Sequence, residues 1–380
     1  MILNIKDLKK LASKLNLAIE RSKINPKSGW IELETFNNNL TFKVANFDYY
    51  LEASLPYSSN EPENLHVTLL SETFIPLISK LDVEYINLYE KLNSLYLETD
   101  SSSYTFPIIK ELGKTKRLDS ISFSKTEFDV ITINGDDVAS IASVNTKGLI
   151  DAVFAKEIQQ FIYVDQLGAI TFTENIYVNN FKSNLNNFKF LLNISQAKLL
   201  DIFKDYENVN IEFEKSMTFT DIQTTSNKVR LYTNDLNLVL ITQTQDLVDK
   251  FPSIKLRALA ENPEQTHVVI DKKNLDKALA RLMIFDKKFD ITVMDYSKLI
   301  FKQDEVELVS IKNKNVEKLK YESSQNVVEH ESIIRFADLV KQLKAINSKV
   351  IDISFGSRPA IVINSDNIKQ IIPEIRIKGD

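Results

Sequence analysis

The feature that most constrains this chain is a pattern that recurs six times along its 380 residues. Each time an apolar run enters an amphipathic helical stretch, and alternating apolar and polar residues then mark a set of strands. The helical stretches begin near residues 6, 71, 136, 194, 273 and 333, a period of about 60–80 residues. The repeats share this pattern and not their residues. Segments 110–120 (KELGKTKRLDS) and 251–265 (FPSIKLRALAENPEQ) read as linkers and group the six units into three pairs. Alternation within the strands predicts antiparallel sheets with one wet face. The expected fold is α+β, with three similar domains at 1–115, 116–253 and 254–380, each built from two strand–helix–strands units.

The helical stretches carry a charge asymmetry. In the first, Leu8, Leu11, Ala12, Leu15, Ala18 and Ile19 make an apolar face, while Lys9, Lys10, Lys14 and Arg21 lie opposite, against Asp7 and Glu20. The stretch from Lys272 sets Lys272, Lys273, Lys277 and Arg281 against Asp276, and the stretch from Ile333 sets Arg335, Lys341 and Lys344 against Asp338. The stretch from Ser195 carries Lys198 and Lys204 against Asp201. The one near Ser71, where Ser71 or Thr73 is the expected cap, has only Lys80, and the one near Asp136 has no base before Lys147. Yet the whole chain is acidic, with 47 Lys and Arg against 52 Asp and Glu, a net charge of −5. On a single helix, lysines on the solvated face are ordinary. Four positive helices in an acidic chain imply bases on one layer and acids on the other. Phosphates are the natural partner of such a surface.

Several chemistries are excluded. There is no cysteine, hence no thiol catalysis, thiolate metal site or disulfide framework. The three histidines, His66, His267 and His330, lie far apart and have no partners at metal-ligand spacing. Seven glycines leave no Gly-rich phosphate loop, and no metalloprotease or nucleophile-elbow motif is present. Asp136 and Asp137 follow Gly135 at a helix start, where acids favour the helix dipole and need no metal to explain them. Trp30, the single tryptophan, reads as core or interface. No signal peptide or membrane-length apolar run is expected. The expectation is a cytoplasmic, non-enzymatic protein without cofactor, metal or membrane partner.

The chain resembles the bacterial sliding clamp, the beta subunit of the replicative DNA polymerase, over nearly its whole length. ILNIKDLKKLASKLNLAIERSKINPKSGWIELET looks like the family's opening strand, helix, Pro-containing loop and strand. FPSIKLRAL resembles its Tyr/Phe-Pro-Asp-Tyr linker, and VVIDKKNLDKALARLMIF the strand and helix that open its third domain. PAIVINSDNIKQIIPEIRI resembles the closing hairpin and the apolar-Met-Pro-Met-Arg tail. The resemblance implies a homodimeric ring with helices lining the inside and antiparallel sheets outside. Twelve helices about 8–10 Å apart give a circumference of about 100–120 Å. Subtracting a helix diameter of about 10 Å leaves a hole of roughly 22–28 Å, enough for a duplex. Double-stranded DNA would pass over Lys9, Lys10, Lys14, Arg21, Lys23, Lys80, Lys198, Lys277, Arg281, Lys341 and Lys344.

The resemblance also implies a pocket for short peptides of the replicative polymerase, the clamp loader and other proteins carrying a clamp-binding motif. Carried over by position, its wall comprises Asn180, Phe181 and Lys182, where the family has a Thr-Asp-Gly-His-Arg-like run, together with Pro252, Leu256, Ile372, Pro373 and Ile375. Taken singly, Pro252 ends a strand, Pro373 marks an edge strand, and Arg21 and Lys23 sit in a solvated loop. Glu374 is inserted in the tail motif, and Asn180 and Phe181 replace the family's Gly and His. Divergence of this size fits a phage-encoded clamp, which would work in the host cytoplasm. The competing expectation is a non-enzymatic scaffold built from the same repeats without DNA encirclement. A hydrolase would need convergent carboxylates or a nucleophile–base pair, and the sequence offers neither.

Overall fold

The computed structural model describes residues 1–20, 22, 24–59, 64–123, 130–149, 156–173, 175–181, 188–214, 226–261, 266–286, 296–311, 314–356 and 358–375. Six helices follow the expected repeat: α1 (Ile5–Ala18), α2 (Ser71–Lys80), α3 (Gly135–Val144), α4 (Ile194–Leu199), α7 (Lys272–Asp286) and α8 (Phe336–Leu343). Two more, α5 (Gln245–Asp249) and α6 (Ser253–Glu261), occupy the segment expected as a linker. Each strand pair whose register is described is antiparallel. The architecture is α+β, as expected.

Local chemistry sets the helix starts. Asn4 caps α1, its Oδ1 accepting the amides of Lys6 and Asp7 at 2.9 and 3.3 Å. Asn134 accepts the Asp136 amide at 2.9 Å before α3, and Asp271 accepts that of Asn274 at 2.7 Å at the start of α7. Asp136 and Asp137 thus sit in the first turn of α3, where their charge favours the dipole. The expected cap of α2 differs. Ser71 is buried and donates to the Gly29 carbonyl at 2.7 Å, while Thr73 donates to Leu70 O at 3.1 Å. The last helix begins three residues later than expected, because His330–Ile334 completes a strand first.

The chain divides into two compact units, 1–139 with 183–190 and 195–246, and 140–182 with 191–194 and 247–380. The first holds an eight-stranded sheet in the order Ile131–Ile133, Val209–Glu214, Lys228–Tyr232, Leu236–Ile241, Tyr49–Pro56, Asn39–Ala45, Trp30–Phe36, His66–Leu70. Leu236–Ile241 joins Tyr49–Pro56 with Leu238 opposite Leu51. A four-stranded sheet runs Ile2–Asn4, Tyr85–Lys91, Ser94–Glu98, Ser103–Pro107. Helices α1 and α2 pack together, and Leu8, Leu15, Phe42, Phe74 and Leu88 lie in the unit's interior. Trp30 is half-buried against Ala45, Tyr50 and Leu118.

The second unit repeats the plan. Its nine-stranded sheet runs Lys189–Leu192, Ile162–Asp165, Gly168–Phe172, Ile176–Asn180, Ile368–Pro373, Ala360–Ser365, Val350–Phe355, Thr266–Asp271, Ser323–Gln325. Ile176–Asn180 joins Ile368–Pro373 with Ile176 opposite Ile371. Its four-stranded sheet runs Val316–Lys320, Glu305–Ser310, Ser297–Phe301, His330–Ile334. Two apolar clusters lie on opposite faces of the large sheet. One gathers Leu275, Leu279, Phe301, Leu339, Phe355 and Ile372, and the other gathers Tyr163, Phe251, Leu256, Val362 and Ile371. No described helix is long and apolar enough to cross a membrane.

Gly135 shows how tightly the first unit closes. Its amide donates to Tyr206 O at 2.8 Å, and a Cβ there would run into the carbonyl oxygens of Phe203 and Tyr206. Gly135→Ala is expected to destabilise by about 1–3 kcal/mol. Gly29→Ala, whose Cβ would meet nothing closer than 3.9 Å, is expected to unfold like the wild type in thermal denaturation.

Candidate DNA-binding faces and peptide groove

The basic helix residues fall into three states. Lys10 on α1, Lys80 on α2, Lys198 on α4, Lys277 on α7 and Lys344 just past α8 are exposed, and Lys9 and Lys341 are half-buried. Lys14 is not a free cation. Its ammonium lies 4.0 Å from the centre of the Tyr206 ring, whose hydroxyl donates to Asp235 at 2.8 Å. Burial lowers the Lys14 pKa, against the pull of Asp235. Arg281 is also committed, since its Nε and one terminal nitrogen each reach the Glu317 carboxylate at 2.7 Å. Arg21 and Lys23 lie outside the described residues.

The structure adds a lysine that helix periodicity missed. Lys147 sits in a 3₁₀ turn after α3, and its ammonium donates to Lys344 O at 2.5 Å. Burial lowers its pKa, and Lys344 and Lys272 add like-charge repulsion. Beside Lys272 a groove of about 560 Å³ is lined by Lys273, Lys277, Lys349 and Asn347, with Asp271 and Asp276. Only tertiary packing brings Lys147 to this neighbourhood. No group of three or more His, Asp or Glu suited to a metal ion is found among the described residues. Each histidine faces a carboxylate instead: His66 Glu32 at 3.1 Å, His267 Asp352 at 3.3 Å, and His330 Glu374 at 3.1 Å.

The residues expected to wall a peptide pocket gather within the second unit. Helix α6 packs on the Ile176–Asn180 and Ile368–Pro373 strands. It brings Leu256 against Phe251, Tyr163 and Ile371. Tyr163 stacks on Phe251 with centroids 4.8 Å apart, and Phe172 meets Phe251 edge-on at 5.3 Å. Pro252 precedes α6, and its carbonyl accepts the Leu256 amide at 3.1 Å. Asn180 and Phe181 are half-buried at the end of their strand, the Asn180 amide donating to Asn367 O at 2.8 Å. Pro373 is exposed and Ile375 half-buried. Lys182 lies outside the described residues.

Ile372 requires a correction. It is 1% exposed and belongs to the cluster on the opposite face of the sheet from Leu256. Successive strand residues point to opposite faces, so Ile371, and not Ile372, lies on the Leu256 side. A second residue pair was invisible in the sequence. Arg257 on α6 reaches Asp165 at 2.6 Å, and both side chains are about nine-tenths buried. Asp165 also accepts the Leu167 amide at 2.8 Å. Burial pushes its carboxyl up, against the opposing pull of Arg257 and of the Leu167 and Gly168 amides. The pair ties α6 to the hairpin that carries Tyr163.

Arg257→Met leaves the buried Asp165 carboxylate without its counter-charge and is expected to cost about 3–5 kcal/mol in thermal or urea unfolding. Adding Asp165→Asn, which removes the charge and keeps a turn acceptor, is expected to restore part of that loss. For Lys14 the folded state disfavours the charged form, so its contribution to stability is present above the ordinary lysine range and lost as pH falls through the lowered pKa. Lys14→Met is therefore expected to stabilise the fold at pH 7, by a margin that shrinks as pH rises towards 10.5.

No protein-family model matches the sequence, and no curated protein matches it. Solved structures do match. The beta subunit of DNA polymerase from Streptococcus pyogenes aligns with a TM-score of 0.77 at 15% identity, covering 99% of each chain. The DNA polymerase III beta subunit of Thermotoga maritima aligns at 0.74 and 14% identity, again over 99% of each chain. The Pseudomonas aeruginosa sliding clamp bound to griselimycin aligns at 0.76 and 11%, also over 99% of each. From its first strand to its closing hairpin, this chain has the α+β fold of the beta-subunit sliding clamps of DNA polymerase III.

Proposed function

We propose that the protein is a DNA sliding clamp, a polymerase processivity factor that encircles duplex DNA and tethers replication proteins through a peptide pocket. The observation that carries this reading is the full-length clamp fold joined to basic residues on its helices in an acidic chain. In this reading three domains, 1–115, 116–253 and 254–380, repeat the pattern, and two copies close a ring. Retention is topological, so a few weak phosphate contacts suffice and sliding is easy. Lys10, Lys80, Lys198, Lys277 and Lys344 are exposed and free to make such contacts, with Lys147 beside Lys344 as an addition, while Lys272 is paired with Asp276. The groove around Leu256, Phe251 and Ile371 receives the peptides of the polymerase, the loader and other partners. The protein works in the cytoplasm, without a catalytic step of its own.

Self-association has a physical basis on the surface. Val316–Lys320 and Ser103–Pro107 are end strands of their sheets, and an end strand offers unpaired backbone groups to another chain. Next to the first, Ile284 (60%), Phe285 (51%) and Val316 (48%) are exposed. A second copy that paired these end strands would cover them.

Light scattering on a sizing column is expected to give twice the 43.6 kDa chain mass, and Ile284→Glu with Phe285→Glu a monomer of unchanged fold. A wild-type monomer at micromolar concentration counts against the ring. Lys277→Glu with Lys344→Glu is expected to weaken duplex binding and to lower the salt slope by about one per lost phosphate contact, with the dimer intact. An unchanged slope removes both lysines from the DNA face.

A further inference from the structure

We infer that Glu374 is a latch that holds the rim of the peptide groove in a fixed position. The inference rests on the peptide-pocket reading above and adds a positioning residue to it. Glu374 follows the closing strand Ile368–Pro373. Its carboxylate accepts the Ser332 hydroxyl at 2.6 Å and lies 3.1 Å from His330 Nε2. Both partners belong to the His330–Ile334 strand of the small sheet. The receiving site is rigid. Ser332 is fully buried, and the His330 ring stacks on Phe355 with centroids 5.2 Å apart.

The backbone reinforces the side chain. The Glu374 amide donates to Pro359 O at 2.9 Å, and the Ile375 amide to Ile333 O at 2.8 Å. The chain is thus tied on both sides just after Pro373. Strand alternation turns this into a device. Ile372 faces the cluster that contains Phe301 and Phe355, and Glu374 docks on that same side. Ile371 faces Leu256 and Phe251, and Pro373 is exposed. An anchor on one face of the strand therefore fixes what the other face presents to a peptide. Lifting the carboxylate would leave the buried Ser332 hydroxyl without its acceptor, which favours the latched state. A rim ordered before binding spares the peptide the cost of ordering it.

The test compares wild type, Glu374→Ala and Glu374→Gln, the last keeping an acceptor for Ser332. Affinity for a fluorescein-labelled Gln-Leu-Ser-Leu-Phe peptide, of the Gln-Leu-x-Leu-Phe type that the clamp resemblance implies for partners, is read by anisotropy, and amide exchange over 371–375 by mass spectrometry. Glu374→Ala is expected to bind about five- to tenfold more weakly and to exchange faster at 371–375, with its melting temperature lowered by a few degrees and the fold retained. Glu374→Gln is expected to recover most of both. Unchanged exchange in Glu374→Ala overturns the latch whatever the peptide does. Faster exchange with wild-type peptide affinity overturns its positioning role. Wild-type protein that binds no peptide, with exchange still faster in Glu374→Ala, overturns the pocket reading and supports the tether itself.

Discussion

Two antiparallel seams hold the repeats together. In the first unit Leu236–Ile241 pairs with Tyr49–Pro56, residues nearly two hundred positions apart in the chain. In the second unit Ile176–Asn180 pairs with Ile368–Pro373 across a similar separation. Each seam turns two short sheets into one long one and satisfies backbone groups that would otherwise be sheet edges. Each seam sets buried apolar residues, such as Leu51 with Leu238 and Val178 with Ile371, beside half-buried polar ones such as Glu52, Asn237 and Lys369, so a one-residue slip would move an apolar row to the wrong side. Strand alternation beside the second seam therefore sets Ile371 with Leu256 and Ile372 with Phe355.

Charge is organised at a second level. Glu305, Glu307 and Glu317 neutralise Lys318 and Arg281 on and beside one small sheet. Glu34 and Glu32 hold Lys43, and Glu212 and Glu214 hold Arg230 and Lys228 on the first unit's large sheet. Acids and bases on the strands thus cancel in pairs. Several exposed helix lysines, Lys10, Lys80, Lys198 and Lys277 among them, carry no such described ion pair. Exposed ammonium groups of this kind contribute little to stability.

Much of the fold was legible because period does the encoding. Five of the six helix starts fell within a residue of their expected positions, since apolar spacing marks them, with Asn or Asp caps at α1, α3 and α7. Helix α6 was hidden because FPSIKLRALAE reads as a Pro-containing linker when its burial against two distant strands is unknown. The same blindness concealed Arg257 with Asp165, and Lys147 with Lys344. These pairs join residues 92 and 197 positions apart, and no local pattern marks them. Lys14 and Arg281 were placed on the right helices, but the sequence could not show that Tyr206 and Glu317 already engage them. Glu374 stood out as an irregularity in the tail, and its reason became visible only with Ser332 beside it.

The most direct measurement is retention on duplex DNA with both ends blocked. Dilute protein would be concentrated in the presence of the DNA, washed in high salt to remove electrostatic binding, and then challenged with a restriction enzyme that cuts the duplex. A topological clamp stays bound through the wash and leaves when the DNA is cut. Protein that leaves in the wash, or that remains equally bound after the cut, contradicts encirclement and returns this fold to the class of scaffolds.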